Sequence, residues 1–168
     1  FVLLILNVEV LGASFEDLVP KAPRLDARSY LLFDATTGVV LAEENAHERM
    51  DPASLTKIMT VFVAAMALEN GSISLEDETV VSEKAWKMEG SRMFIEVNKR
   101  VTVDDLLSGI IIQSGNDASV ALAEYIAGDE DVFAQEMTAV AKQLGMTNSS
   151  FSNSTGLTDP ETYVTAYD

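Results

Sequence analysis

Apolar and polar positions along the chain fall into blocks of different period. Residues 30–33 and 39–42 are short runs of β-forming residues parted by a turn that ends at Gly38, a pattern that predicts two antiparallel strands. From Ile58 to Leu68 every residue is apolar or Thr, which predicts a helix over 52–69, apolar all round and buried at the centre of its domain. Asp51 and Pro52 supply its start signal, because Asp can accept from free amides and Pro has no N–H to leave unpaired. Asn70 and Gly71 end it. Residues 71–99 are mixed, with short strands expected at 79–82 and 93–97. Thr102 with Asp105 resembles a capping box ahead of a helix that runs to about Gln113. A second helix is expected over 116–127, which puts Ser114, Gly115 and Asn116 on the turn between the two. A third, amphipathic helix over 130–144 stops at Gly145, and a loop rich in Ser, Asn and Thr continues to Thr158. No internal repeat is visible.

The first twelve residues are almost wholly apolar and lead into Gly12, Ala13 and Ser14. That is the pattern of the apolar stretch and cleavage region of an export signal, read over 1–14. A membrane-spanning helix needs about 20 apolar residues, and Glu9 already interrupts this run. Residues 15–28, with Pro20 and Pro23, read as a linker, and 29–168 as one folded domain. The missing initiator Met and the abrupt ending at Tyr167 and Asp168 are read as marks of an N-terminal piece of a longer product.

Composition narrows the chemistry. A formal net charge of −16 and a pI near 4.2 leave no basic stripe for a phosphate backbone, so nucleic acid is excluded as a partner. The carboxylate runs Glu76, Asp77, Glu78 and Asp129, Glu130, Asp131 read as solvated surface. Cysteine is absent, which removes disulfides, thiolate nucleophiles and Cys-based zinc sites. The one histidine, His47, reads as a surface residue, and no metal or cofactor is expected. The Met residues and the run 110–112 read as core filling.

The candidate chemistry starts at Ser54-Leu55-Thr56-Lys57, in the first turn of the apolar helix. At that spacing both side chains share a helix face, so the Lys57 amine can reach the Ser54 hydroxyl. A lysine whose pKa is pushed down by burial can accept the hydroxyl proton. The helix start also offers free N–H groups to a developing oxyanion, with the Ser54 N–H as first donor, so Asp51 is expected to cap a different group. Spacing alone is weak, since such a Ser–Lys pair arises in about half of random chains of this length. Ser114-Gly115-Asn116 is equally common by itself.

The wording of the segments is far more specific. Asp51-Pro-Ala-Ser-Leu-Thr-Lys57, Gln113-Ser-Gly-Asn-Asp-Ala-Ser119 and Asn153-Ser-Thr-Gly-Leu157 strongly resemble the low-molecular-mass penicillin-binding proteins, serine-type D-alanyl-D-alanine carboxypeptidases. The resemblance extends over roughly 28–168, in the family's order. It implies an α+β, transpeptidase-like fold of the β-lactamase/DD-peptidase type, with helices packed on a mainly antiparallel sheet that this chain supplies only in part. It makes Ser54 the acylated nucleophile, Lys57 its general base, Ser114 the proton relay and Asn116 the residue that orients substrate and Lys57. The implied substrates are peptidoglycan stem peptides ending in D-Ala-D-Ala, with β-lactam antibiotics as mimics. The implied location is the periplasm or the outer face of the bacterial cytoplasmic membrane, in some members with a C-terminal membrane anchor.

One departure from the family pattern stands out. The family carries a Lys-Thr-Gly motif on a strand facing the nucleophile, and none of the six lysines here is followed by Thr-Gly. The segment alone is therefore expected to have little activity. Two other readings differ at identifiable residues. A class A β-lactamase would carry Ser-Asp-Asn in place of Ser114-Gly115-Asn116, and Glu161 lies in a context unlike that of its deacylating Glu. A silent binding module for peptidoglycan or β-lactams would have no need of Ser54, Lys57, Ser114 and Asn116 together.

Overall fold

The computed structural model describes residues 22–168. The expected export signal at 1–14 and the first half of the linker, 15–21, lie outside the described residues. The first element is a hairpin of β1 (Tyr30–Phe33) and β2 (Val40–Glu44), antiparallel, with Tyr30 opposite Glu44 and a bulge between Leu32 and Phe33. Its turn closes because Asp34 Oδ1 accepts the Thr36 and Thr37 amides at 2.7 and 3.2 Å and Gly38 takes a φ of 71°.

A 3-10 turn at Ala53–Leu55 leads into α1 (Thr56–Glu69). After α1 come β3 (Glu78–Val80), the short α2 (Glu83–Trp86), β4 (Arg100–Thr102), α3 (Val103–Gln113), α4 (Asn116–Ala127) and α5 (Glu130–Gln143). The strands β3 and β4 pair antiparallel, Glu78 opposite Thr102. Capping follows sequence chemistry. Ser82 accepts from the Ala85 amide, Thr102 from Asp105 and Asp129 from Asp131, each satisfying one orphan N–H of a helix start.

The element buried at the centre is α4, inaccessible from Asn116 through Ala123, with α1, α2, α3 and α5 packed around it. One apolar cluster joins Ala64, Val81, Val103, Leu106, Ile110 and Leu122. A second joins Met59, Val63, Phe133, Met137 and Phe151. Burial of this kind contributes about 1.5–3 kcal/mol per large side chain.

Three expectations need correction. The helix α1 is not buried all round, because Ile58, Phe62 and Met66 are exposed along one side. An all-apolar helix shows that every face can be buried, without showing which neighbours do it. Of the run 110–112, Ile110 is core, but Ile111 and Ile112 face outward at 66% and 79% exposure. Residues 93–97 form no strand. Phe94 sits at a φ of 64°, and the Met93, Phe94 and Ile95 amides all donate to the Asp117 carboxylate at 2.8–3.2 Å. A buried side chain has taken the place of a strand partner.

Candidate active site

The turn before α1 is held in an uncommon shape. Ala53 has a φ of 46°, in the left-handed region that a Cβ disfavours. Two contacts stabilise it. Asp51 Oδ1 accepts the Ala53 amide at 2.9 Å, and Asp51 Oδ2 accepts the Thr158 hydroxyl at 2.9 Å. Asp51 thus caps Ala53 and not Ser54. Gly156 packs directly on the same turn at a φ of 80°, where a Cβ would overlap the Ala53 carbonyl and lie 2.7 Å from Thr56 Oγ1. Only glycine fits there.

One helical turn separates Ser54 from Lys57, and the Lys57 Nζ stands 3.4 Å from the Ser54 Oγ. Lys57 is only 5% exposed. Its second contact runs to the far loop, where the Thr155 carbonyl accepts from Nζ at 2.7 Å. Burial lowers the Lys57 pKa to about 8, since desolvation penalises the charged form. No carboxylate forms an ion pair with it among the described residues, so no opposite charge offsets that penalty.

Ser114 ends α3 in the left-handed conformation, φ 54° and ψ 39°, and so turns the chain sharply into α4. It lines a cavity of about 350 Å³ with Ser54, Lys57, Ile58, Ile110 and Ile111. Three of the four residues singled out from the sequence therefore meet at one apolar-walled hollow. The fourth lies behind it. Asn116 is 5% exposed, its Nδ2 donates to the Glu89 carbonyl at 2.6 Å, and its backbone N–H donates to Ser91 at 2.7 Å. It fastens the 89–91 segment to α4 and is not among the cavity walls. His47 is exposed and stacks on Tyr167.

Several residues beside the site had no role read for them from the sequence, although Asn153-Ser-Thr-Gly-Leu157 carried part of the resemblance. Asn153 Oδ1 accepts from the Thr155 amide, the Thr155 hydroxyl and the Gly156 amide at 2.7–3.1 Å, which shapes the loop that meets Lys57. Glu130 corrects the reading of 129–131 as solvated surface, because it is 5% exposed and bonded to Ser154. The role of this loop could have been read from Asn153-Ser-Thr-Gly156, an Asx turn before a glycine.

The arrangement can activate a hydroxyl: a nucleophile at a helix start, a desolvated amine in reach, and a second hydroxyl across the hollow. Comparison with known proteins agrees in kind. The family model described as D-alanyl-D-alanine carboxypeptidase matches residues 17–168. The chain is 48% identical over 143 residues to the D-alanyl-D-alanine carboxypeptidase DacF of Bacillus subtilis, covering 85% of this chain and 37% of that protein. It is 47% identical to DacC of Escherichia coli, covering 88% and 38%. Among solved structures, penicillin binding protein 5 from Haemophilus influenzae superposes with a TM-score of 0.85 at 39% identity, over 89% of this chain and 44% of that one. Penicillin-binding protein D2 from Listeria monocytogenes in its ampicillin-bound form gives 0.76 at 27% identity, over 88% and 60%. The fold is thus the α+β fold of these proteins, and the chain spans about two fifths of the length of the curated relatives it matches.

Proposed function

The chain belongs to the D-alanyl-D-alanine carboxypeptidase family, and from that premise we propose that the whole protein removes the terminal D-alanine from peptidoglycan stem peptides through an ester on Ser54. The observation that carries the proposal is the buried Lys57 amine, 3.4 Å from the Ser54 hydroxyl at the wall of an open hollow.

In this mechanism Ser54 Oγ bonds to the carbonyl carbon of the penultimate D-alanine while neutral Lys57 takes the hydroxyl proton. The oxyanion forms beside the Ser54 N–H, at the positive end of α1. The C–N bond then breaks, and the proton passes from Lys57 to the departing amine by way of Ser114. Water attacks the ester carbonyl and gives a proton to Lys57, which returns it to Ser54 Oγ as the acyl C–O bond breaks. A β-lactam enters by the same first step and leaves a persistent ester, because its amine stays tethered. We place this work outside the cytoplasmic membrane, in keeping with the apolar stretch at 1–12 and with a cell-wall substrate. A membrane anchor elsewhere in the whole protein fits the same reading.

The proposal is tested by D-alanine release from a pentapeptide ending in D-Ala-D-Ala. The full-length protein is expected to release it, and Ser54→Ala to abolish release. Release that survives Ser54→Ala overturns the assignment. Rapid turnover of penicillin without a lasting ester would instead mark a β-lactamase.

The lysine also sets a pH dependence. The reactive form is the neutral amine, and burial lowers its pKa to about 8. Acylation by a penicillin should therefore rise as pH passes through the region near 8 and level off above it, whereas an ordinary lysine would keep rising toward about 10.4. Rates of ester formation on a pH series check this, and a profile flat from pH 6 to 10 would contradict it.

A further inference from the structure

Glu130 is a buried charge that the proposed mechanism does not use. A carboxylate taken out of water costs several kcal/mol unless it is paired and hydrogen-bonded. As the first residue of α5 it benefits from the helix dipole, yet the cap of α5 is supplied by Asp129, so Glu130 is not needed for that purpose. Its oxygens point away from their own helix. Glu130 Oε1 accepts the Ser154 amide at 3.0 Å and the Ser154 hydroxyl at 2.7 Å, and Oε2 pairs with Lys84 Nζ of α2 at 3.0 Å. The other charges facing this pair are Asp131 and Asp129. For Lys84 burial opposes the charge, but the bond to Glu130 and the nearby carboxylates outweigh it and raise its pKa.

What Glu130 grips is the loop that touches the active amine. The Ser154 carbonyl accepts from Thr60 Oγ1 at 2.7 Å, so this residue is clamped between α5 and α1. The next carbonyl along, that of Thr155, accepts from Lys57 Nζ at 2.7 Å. Ser154 and Thr155 are almost fully buried, so the loop also closes water out from this side of Lys57. An amine has few directions for its protons and lone pair. A fixed carbonyl that takes one N–H decides how the remainder is presented to Ser54.

We propose that Glu130 is a positioning residue for Lys57: its carboxylate, paired with Lys84, fixes the Ser154 amide and hydroxyl so that the Thr155 carbonyl holds the amine at Ser54. This rests on the function proposed above. Glu130 touches neither substrate nor the reacting atoms. Its effect travels through two consecutive residues of one loop.

The test uses the full-length protein and a fluorescent penicillin, with acylation rates measured across pH and folding followed by thermal melting. Glu130→Ala frees the loop, so acylation should fall by up to about a hundredfold, the size expected when a catalytic group is misplaced by about 1 Å. Its pH midpoint should also move upward from the wild-type value as water reaches Lys57. Glu130→Gln keeps an acceptor for both Ser154 bonds but loses the ion pair with Lys84, so its rate should fall between wild type and Glu130→Ala, with a smaller upward shift of the midpoint. A loss of stability alone would reduce the active fraction without moving the midpoint. An unmoved midpoint in folded Glu130→Ala therefore overturns the inference. Should that variant not fold, Ser154→Ala removes only the hydroxyl bond and should shift the midpoint in the same direction; no shift there overturns the inference equally. If wild type forms no ester that Ser54→Ala removes, the reading of the site itself has failed, a result separate from either of these.

Discussion

Lys57→Ala in the full-length protein is expected to slow ester formation with a penicillin by about a hundredfold to ten-thousandfold, the range associated with loss of a general base. The Ser54 hydroxyl has no other nitrogen or carboxylate within hydrogen-bonding distance among the described residues, so no neighbour can take over the proton. The substitution also leaves the buried Thr155 carbonyl without the donor it has at 2.7 Å. An unpaired buried acceptor costs about 1–3 kcal/mol, partly offset because a desolvated amine has been removed. The fold should survive while the rate collapses. Time courses of fluorescent penicillin labelling beside a melting curve separate the two effects. A folded Lys57→Ala that labels within about tenfold of wild type would show that the proton has another route.

The second large effect is expected at a residue that touches no substrate. Gly156→Ala would drive a methyl group into the Ala53 carbonyl, in a backbone conformation of φ 80°. Overpacking costs about 1–3 kcal/mol, and a left-handed non-glycine residue adds about 1–2 kcal/mol. Neither flank can yield cheaply. On one side Asn153 Oδ1 holds the Gly156 amide at 2.7 Å, and on the other Asp51 holds the Ala53 amide at 2.9 Å. The displacement would fall on Ala53, one residue before the nucleophile. Acylation should drop by about a hundredfold with the shift of Ser54, and the melting temperature should fall clearly. A variant with the stability and labelling rate of wild type would mean that the loop and the turn are not in tight contact.

Much of the architecture was legible because local chemistry and global packing agree. Thr102 and Asp105 start α3, Gly128 and Asp129 separate α4 from α5, and the observed ends of these helices lie within a residue or two of the reading from the sequence. The motif residues were legible for a different reason. Their spacing is common, and the words around them carried the family. What escaped depends on contacts distant in sequence. Asp117 binds amides 22–24 residues away and so bends 93–97 out of a strand. Glu130 looked like one of three surface carboxylates because nothing local says that Ser154 and Lys84 will close over it. For α1, the uniform run of apolar residues gave a helix but could not say which side the described residues leave open.

The central claim is that Ser54 is the nucleophile and Lys57 its base. Intact-mass measurement of the full-length protein after incubation with a penicillin tests it most directly. An increase equal to the mass of the intact antibiotic, lost in Ser54→Ala and much slower in Lys57→Ala, is the predicted result. An adduct that persists in Ser54→Ala, or no adduct on folded wild-type protein, would contradict it.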